Sequence, residues 1–280
     1  MSTYKVDDVN DLNLKQTFEC GQCFRWNRQE NGSYEGKAMG RMVNMYMPDD
    51  NTLLIDPCTP EEFENIWARY LDFDTDYGKI KEEISRSDPK MREAIEVGNG
   101  IRILNQDLWE TLVSFIISQN NNIPRIKGCI ESLCRMFGKK IDMPETVKSS
   151  DKTAFYDIPS PSVLASLDVD DLASVKLGYR ASYIIEASRQ VCERGLPGSY
   201  DQLTDLKGVG PKVANCVALF GLGERDCFPI DIWVRRVMNK IYGMDESNLP
   251  AMQKFADEHF GSLGGYAQQY LFYYIREFGS

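Results

Sequence analysis

The sequence predicts an α+β fold in which an antiparallel β-sheet layer at the N-terminal end packs on a mostly α-helical body. Three observations point there. Up to about Asp56, apolar and polar residues alternate in short runs broken by Asn31-Gly32 and Asp49-Asp50-Asn51. From Pro60 onward the apolar residues recur at three- and four-residue spacing. A Gly-Val-Gly turn at 208–210 runs directly into Pro211 and an apolar stretch, which is the start of a helix.

Taken in order, FRWN, YEGKAM, GRMVNMYM and TLLID read as strands of a meander, separated by ENGS and PDDN turns. EEFENIWARYL, GKIKEEIS, PKMREAIEV and DLWETLVSFIISQ then read as helices. The division expected is a subdomain 1–98, the sheet with flanking helices, and a helical domain 99–280 containing a helix-hairpin-helix, with the site in the cleft between them.

Composition narrows the chemistry. At 280 residues the chain can bury a substantial core. No apolar run approaches the ~20 residues of a membrane span, and the N-terminal stretch has neither a signal nor a transit character, so a cytoplasmic protein with no membrane partner is expected. Eight scattered cysteines fit reduced thiols, and one Cys20-x-x-Cys23 pair without a second ligand pair is a poor metal site. His259 is the only histidine, which argues against histidine triads and multi-histidine metal sites and leaves acid-base work to Lys, Asp or Glu. The net charge of −10 conflicts at first sight with nucleic-acid binding. Yet residues 48–100 alone carry 14 acidic against 6 basic residues. The segments 114–140 (Arg125, Lys127, Arg135, Lys139, Lys140) and 207–240 (Lys207, Lys212, Arg225, Arg235, Arg236, Lys240) are locally basic, enough for steering.

The stretch Leu206–Trp233 concentrates the chemistry. Gly208, Val209 and Gly210 precede a helix N-terminus whose amides suit a phosphate. Lys212 falls in the first turn, where the helix dipole disfavours an ammonium ion and so favours the free amine that a nucleophile requires. Cys216 follows four residues later on the same face. Asp231 stands at the head of IWVRRVMNKIY, placed to cap it. Three further clusters exceed what structure alone requires. Asn120-Asn121-Asn122, followed by Arg125, offers amides and a guanidinium that can replace the hydrogen bonds of a displaced base. Gly178-Tyr179-Arg180 offers a ring that can wedge between bases beside an arginine that can read one, the plain alternative being a buried tyrosine and a surface arginine. Gln268 and Phe272, at i and i+4, can give a purine one amide and one stacking ring.

In order, the hairpin LKGVGPKVA, the loop GLGERDCFPI and Asp231 resemble the signature of the helix-hairpin-helix DNA glycosylase superfamily. Four more segments resemble its 8-oxoguanine DNA glycosylases: Gly21-Gln22-Cys23-Phe24-Arg25-Trp26, Asn120 to Arg125, Gly178-Tyr179-Arg180, and Ala267-Gln268 with Leu271-Phe272. The resemblance implies base flipping, attack by Lys212 on the sugar, a Schiff base and β-elimination, with Asp231 steadying the cationic sugar. It further implies that the Gly21 carbonyl senses the proton peculiar to the oxidised base, that Cys216 and Phe272 sandwich the base, and that Gln268 and the loop at Pro229 read its edge. Asn120 would fill the gap and Tyr179 wedge the stack. Arg125 and Arg180 would hold an opposite cytosine, while Gly208, Val209 and Gly210 grip the backbone. The implied partner is double-stranded DNA containing an oxidised purine, bound by a monomer. No cofactor is required on this reading. No cysteine follows Cys227, so an iron-sulfur cluster is not expected, and a monovalent cation at the hairpin is left open. Trp233, where eukaryotic members usually have histidine, and Cys23, where serine is common, depart from the pattern. The rival readings are a monofunctional alkylpurine glycosylase, which typically lacks a lysine at position 212, and a non-catalytic helix-hairpin-helix DNA-binding protein.

Overall fold

A computed structural model describes residues 3–141 and 155–279. The N-terminal layer is a five-stranded antiparallel sheet, with β1 Tyr4–Val6, β2 Trp26–Arg28, β3 Tyr34–Ala38, β4 Arg41–Asp49 and β5 Thr52–Asp56 in the spatial order β1-β5-β4-β3-β2. The last four form the expected meander, in registers such as Gly36↔Val43 and Met45↔Ile55. The edge strand β1 and the helix Leu14–Glu19, capped by the Asn13 side chain, lie where no element was expected. Three and six residues are too few to show a period, and β1 is a strand because β5 offers it a free edge.

Buried apolar residues form two main cores. One lies under the sheet, where Phe18 stacks on Trp26 at 4.0 Å and Trp67, Tyr70 and Leu71 close it from the helical side. The other is the helical body, which runs from Tyr77 to Ile275 and takes in Cys20 and Phe24. Ile84, Met91, Ala94 and Ile95 belong to this second core. The helices Tyr77–Ser87 and Arg92–Val97 thus turn their apolar faces to the body, while Leu104, further along the chain, belongs to the core under the sheet.

The segment between the first helix and β2 crosses from one core to the other and is held by polar groups at each step. The Gln22 amide donates to Thr17 O (2.8 Å) and Arg102 O (2.7 Å) and accepts from Leu104 N (2.9 Å). Gln106 donates to Gln22 O at 2.7 Å. Arg25, 2% exposed, reaches Glu110, Glu131 and Asp157 and donates to Tyr156 O. Gly21 is thus fixed at the seam between the layers.

Candidate active site

The hairpin is built as its residue types require. Gly208 has φ +81, and a Cβ there would stand 2.4 Å from the Tyr183 ring, so no side chain is tolerated. Val209 N is spent on Leu206 O (3.1 Å), which closes the turn. Gly210 is the N-cap of Pro211–Val217, without any side-chain cap, and open space lies where its side chain would be. The first amides of that helix, at Lys212 and Val213, have no intrahelical acceptor, so a phosphate can approach them unobstructed. The helix continues as a π-turn over Ala218–Leu222.

Lys212 opens onto a cavity of about 40 Å³ lined by Cys20, Gly21, Phe115, Cys216, Phe220, Pro229, Asp231, Gln268, Gln269 and Phe272. All seven residues named above for catalysis or base binding meet there. Lys212 Nζ lies 5.2 Å from the Phe115 ring centroid. Burial raises the Cys216 thiol above its ordinary value, and the neighbouring Lys212 pulls it partly back. Phe272 rests against Gly21, its ring 3.1 Å from the position of a Cβ, and Gly21 has φ +82. At about 40 Å³ the slot is smaller than a purine. On the other side of Lys212 a wider groove of about 610 Å³ runs along Tyr200, Pro211, Asn215, Ile230 and Leu249.

Asp231 caps Ile232–Tyr242 through one oxygen, Oδ1, which accepts from Trp233 N and Val234 N at 2.9 Å each. The cap aims the carboxylate and leaves Oδ2 uncommitted among the described residues. D231N keeps an equally good cap while deleting the charge. Its melting temperature should stay within about 2 °C of wild type, while the single-turnover rate falls on the order of 10²-fold or more. Equal rates would show the carboxylate to be only a cap.

Four residues in or beside this cavity carry no functional signal in the sequence. Phe115 and Phe220, stacked on each other at 5.6 Å, are indistinguishable in sequence from core. Gln269 donates to Gln268 Oε1 at 2.7 Å and so orients that amide, while its own Oε1 is buried without a partner among the described residues. Arg276 lies over Phe272 (5.4 Å) and donates to Glu19 O (3.0 Å), tying the C-terminal helix to the Gly21 segment.

The outer residues are placed differently. Asn120 is exposed with φ +46, and Asn122 caps Ile123–Phe137. Arg125 is exposed and donates to Lys176 O at 3.3 Å. Tyr179 is 50% exposed and Arg180 only 4%, the reverse of a buried tyrosine beside a surface arginine. The Arg180 guanidinium is occupied by the carbonyls of Gln119, Asn120 and Leu177 and lies against the Tyr179 ring, so in this form it braces the loop and faces no open surface. Lys176, with φ +62, caps the preceding turn. Two charges counted in the basic segments are also engaged internally: Lys127 bonds Trp26 O and Asn27, and Arg225 bonds Leu219 O and Asn105.

A helix-hairpin-helix start, a lysine in its first turn and a helix-capping aspartate thus share one cavity. Residues 6–112 match the family model described as 8-oxoguanine DNA glycosylase, N-terminal domain, and residues 113–258 match the HhH-GPD superfamily base excision DNA repair protein model. The chain is 32% identical over 221 residues to a probable N-glycosylase/DNA lyase of Methanothermobacter thermautotrophicus, covering 69% of each. It is 45% identical to MBOgg1, solved in complex with a low affinity DNA ligand (TM-score 0.91, 99% of this chain and 96% of that one). It is 37% identical to the Clostridium acetobutylicum 8-oxoguanine glycosylase/lyase, solved with double-stranded DNA containing cytosine opposite 8-oxoguanine (TM-score 0.91, 100% and 99%). The chain belongs to the 8-oxoguanine DNA glycosylase/lyase family, and it is a DNA N-glycosylase with lyase activity at abasic sites.

Proposed function

We propose that this enzyme excises 8-oxoguanine from duplex DNA, with cytosine as the favoured opposite base. The observation that carries the reading is the single cavity in which Lys212, Asp231, Gly21, Cys216, Pro229, Gln268 and Phe272 converge. The target nucleotide leaves the stack at a cost of a few kcal/mol, offset by Tyr179 as wedge and Asn120 as plug. Helix-start amides at the hairpin hold the backbone. The Lys212 amine lone pair forms a bond to the anomeric carbon while the glycosidic bond breaks, and the electron pair leaves with the base, which takes up a proton. Asp231 Oδ2 faces the positive charge that develops on the sugar. Opening of the sugar ring gives a Schiff base, and loss of a proton from the adjacent carbon expels the 3′-phosphate. The Gly21 carbonyl supplies the discrimination: it accepts a hydrogen bond from a ring nitrogen that carries a proton only in the oxidised base, and meets no donor on guanine. No step requires a cofactor.

Arg125 is the exposed guanidinium beside the Asn120 loop and the group assigned to the opposite base. Single-turnover release of 8-oxoguanine should be faster opposite cytosine than opposite adenine. R125A should narrow that ratio by about 10-fold, the value of one bidentate contact. Equal wild-type rates opposite the two bases would overturn the opposite-base assignment, and no release from either duplex would overturn the substrate.

A further inference from the structure

Three parts of this site handle DNA without touching the reacting atoms: the hairpin, the Asn120 loop and Tyr179. One side chain joins them. Gln119 Nε2 donates to Gly208 O at 3.0 Å and to Ile116 O at 3.2 Å. Both partners are carbonyls, so the amide can be turned only one way. The backbone O of the same residue accepts from Arg180 Nε at 2.8 Å and from Tyr179 Oη at 3.4 Å. The circuit closes through the rings: Tyr179 meets Tyr183 edge-on at 5.5 Å, and Tyr183 packs against Gly208 so closely that a Cβ there would be 2.4 Å from Cγ. Asn120, next in the chain, is held at φ +46, with its own O bonded to Arg180 at 2.9 Å.

We propose that Gln119 is a positioning residue that locks the gap-filling loop and the wedge to the phosphate-gripping hairpin, so that seating the backbone and displacing the base occur as one rigid docking event. The inference rests on the roles proposed above for Asn120 and Tyr179. Without the amide, the loop is tethered to the hairpin only by packing, and a phosphate held at Gly210 no longer fixes where Asn120 and Tyr179 enter the duplex. The cost should appear only when a stacked, paired base has to be extruded, since an unpaired base is already cheap to move.

The test uses Gln119→Met, which keeps the side chain's length and removes the donor, and Gln119→Glu, which sets a carboxylate against two carbonyls. Three duplexes are compared: 8-oxoguanine opposite cytosine, 8-oxoguanine opposite an abasic-site analogue, and a preformed abasic site trapped with borohydride. Q119M should release the paired lesion about 10-fold more slowly, the worth of one hydrogen bond, and Q119E more slowly still. Both should come within about 2-fold of wild type on the unpaired lesion and should trap the abasic site at the wild-type rate. Unchanged release from the paired duplex would overturn the proposal. So would an equal loss on all three substrates, which marks general damage to the site. Wild-type protein that traps the abasic site but releases no 8-oxoguanine would overturn the proposed substrate and with it this inference, and the wild-type lane distinguishes that failure from loss of coupling.

Discussion

Lys212→Gln should abolish borohydride trapping on DNA containing 8-oxoguanine and lower base release by a factor on the order of 10³ to 10⁶, the range seen when a covalent nucleophile is removed. Glutamine is one bond shorter and uncharged, so the cation over the Phe115 ring is lost, but the helix start does not depend on it and the variant should bind an uncleavable lesion duplex as wild type does. The loss follows from chemistry. A glutamine amide has no basic lone pair to give to carbon, so neither the covalent bond to the sugar nor the Schiff base can form. An activated water aligned by Asp231 could still sustain slow base release without strand cleavage, as in a monofunctional glycosylase. The decisive readout is therefore trapping: a covalent adduct that survives the substitution would assign the nucleophile to another amine.

Lys212 and Asp231 were legible through the order of hairpin, loop and acid rather than singly, and Gln268 through its i, i+4 spacing with Phe272, whereas Gly21 came only from the resemblance of the segment Gly21–Trp26. Phe115, Phe220 and Gln269 sit in helices whose periodicity already accounts for them, and only the fold shows that they face a cavity. The burial of Arg180 was hidden for a different reason. Whether an arginine is exposed depends on the acceptors brought to it, and here they are the carbonyls of Gln119 and Asn120, some sixty residues earlier in the chain. The five-stranded sheet was legible up to its edge: β1 owes its strand character to β5 alone.

Arg25→Met should cost about 3–5 kcal/mol, because removing one member of a buried ion cluster leaves the others uncompensated. For a chain of this size that is a fall of roughly 10 °C in melting temperature. Arg25 bonds Glu110 at 3.1 Å and approaches Asp157 (3.5 Å) and Glu131 (3.6 Å), and Glu131 also takes Lys37 at 2.6 Å. The cluster joins the segment before β2 to the helices Leu108–Ser118 and Ile123–Phe137, so its failure would loosen the seam that carries Gly21. Glu110 reports on it. Burial pushes its carboxyl from 4.5 up to about 7, against the pull of Arg25, and Asp157 adds to the rise. A carboxyl raised in this way binds its proton more tightly folded than unfolded. Its contribution to stability is present below about pH 4.5 and is lost as pH climbs through about 7. Glu110→Gln, which mimics the protonated form, should match wild type at the acid end of that window and gain on it toward pH 7.5. In the R25M background the missing cation should carry the window upward, since the carboxylate has lost its main stabiliser. Melting curves of wild type, E110Q, R25M and R25M/E110Q between pH 4 and 8 would measure both effects, and a wild-type minus E110Q difference that stays flat across the range would show that folding does not shift the Glu110 carboxyl.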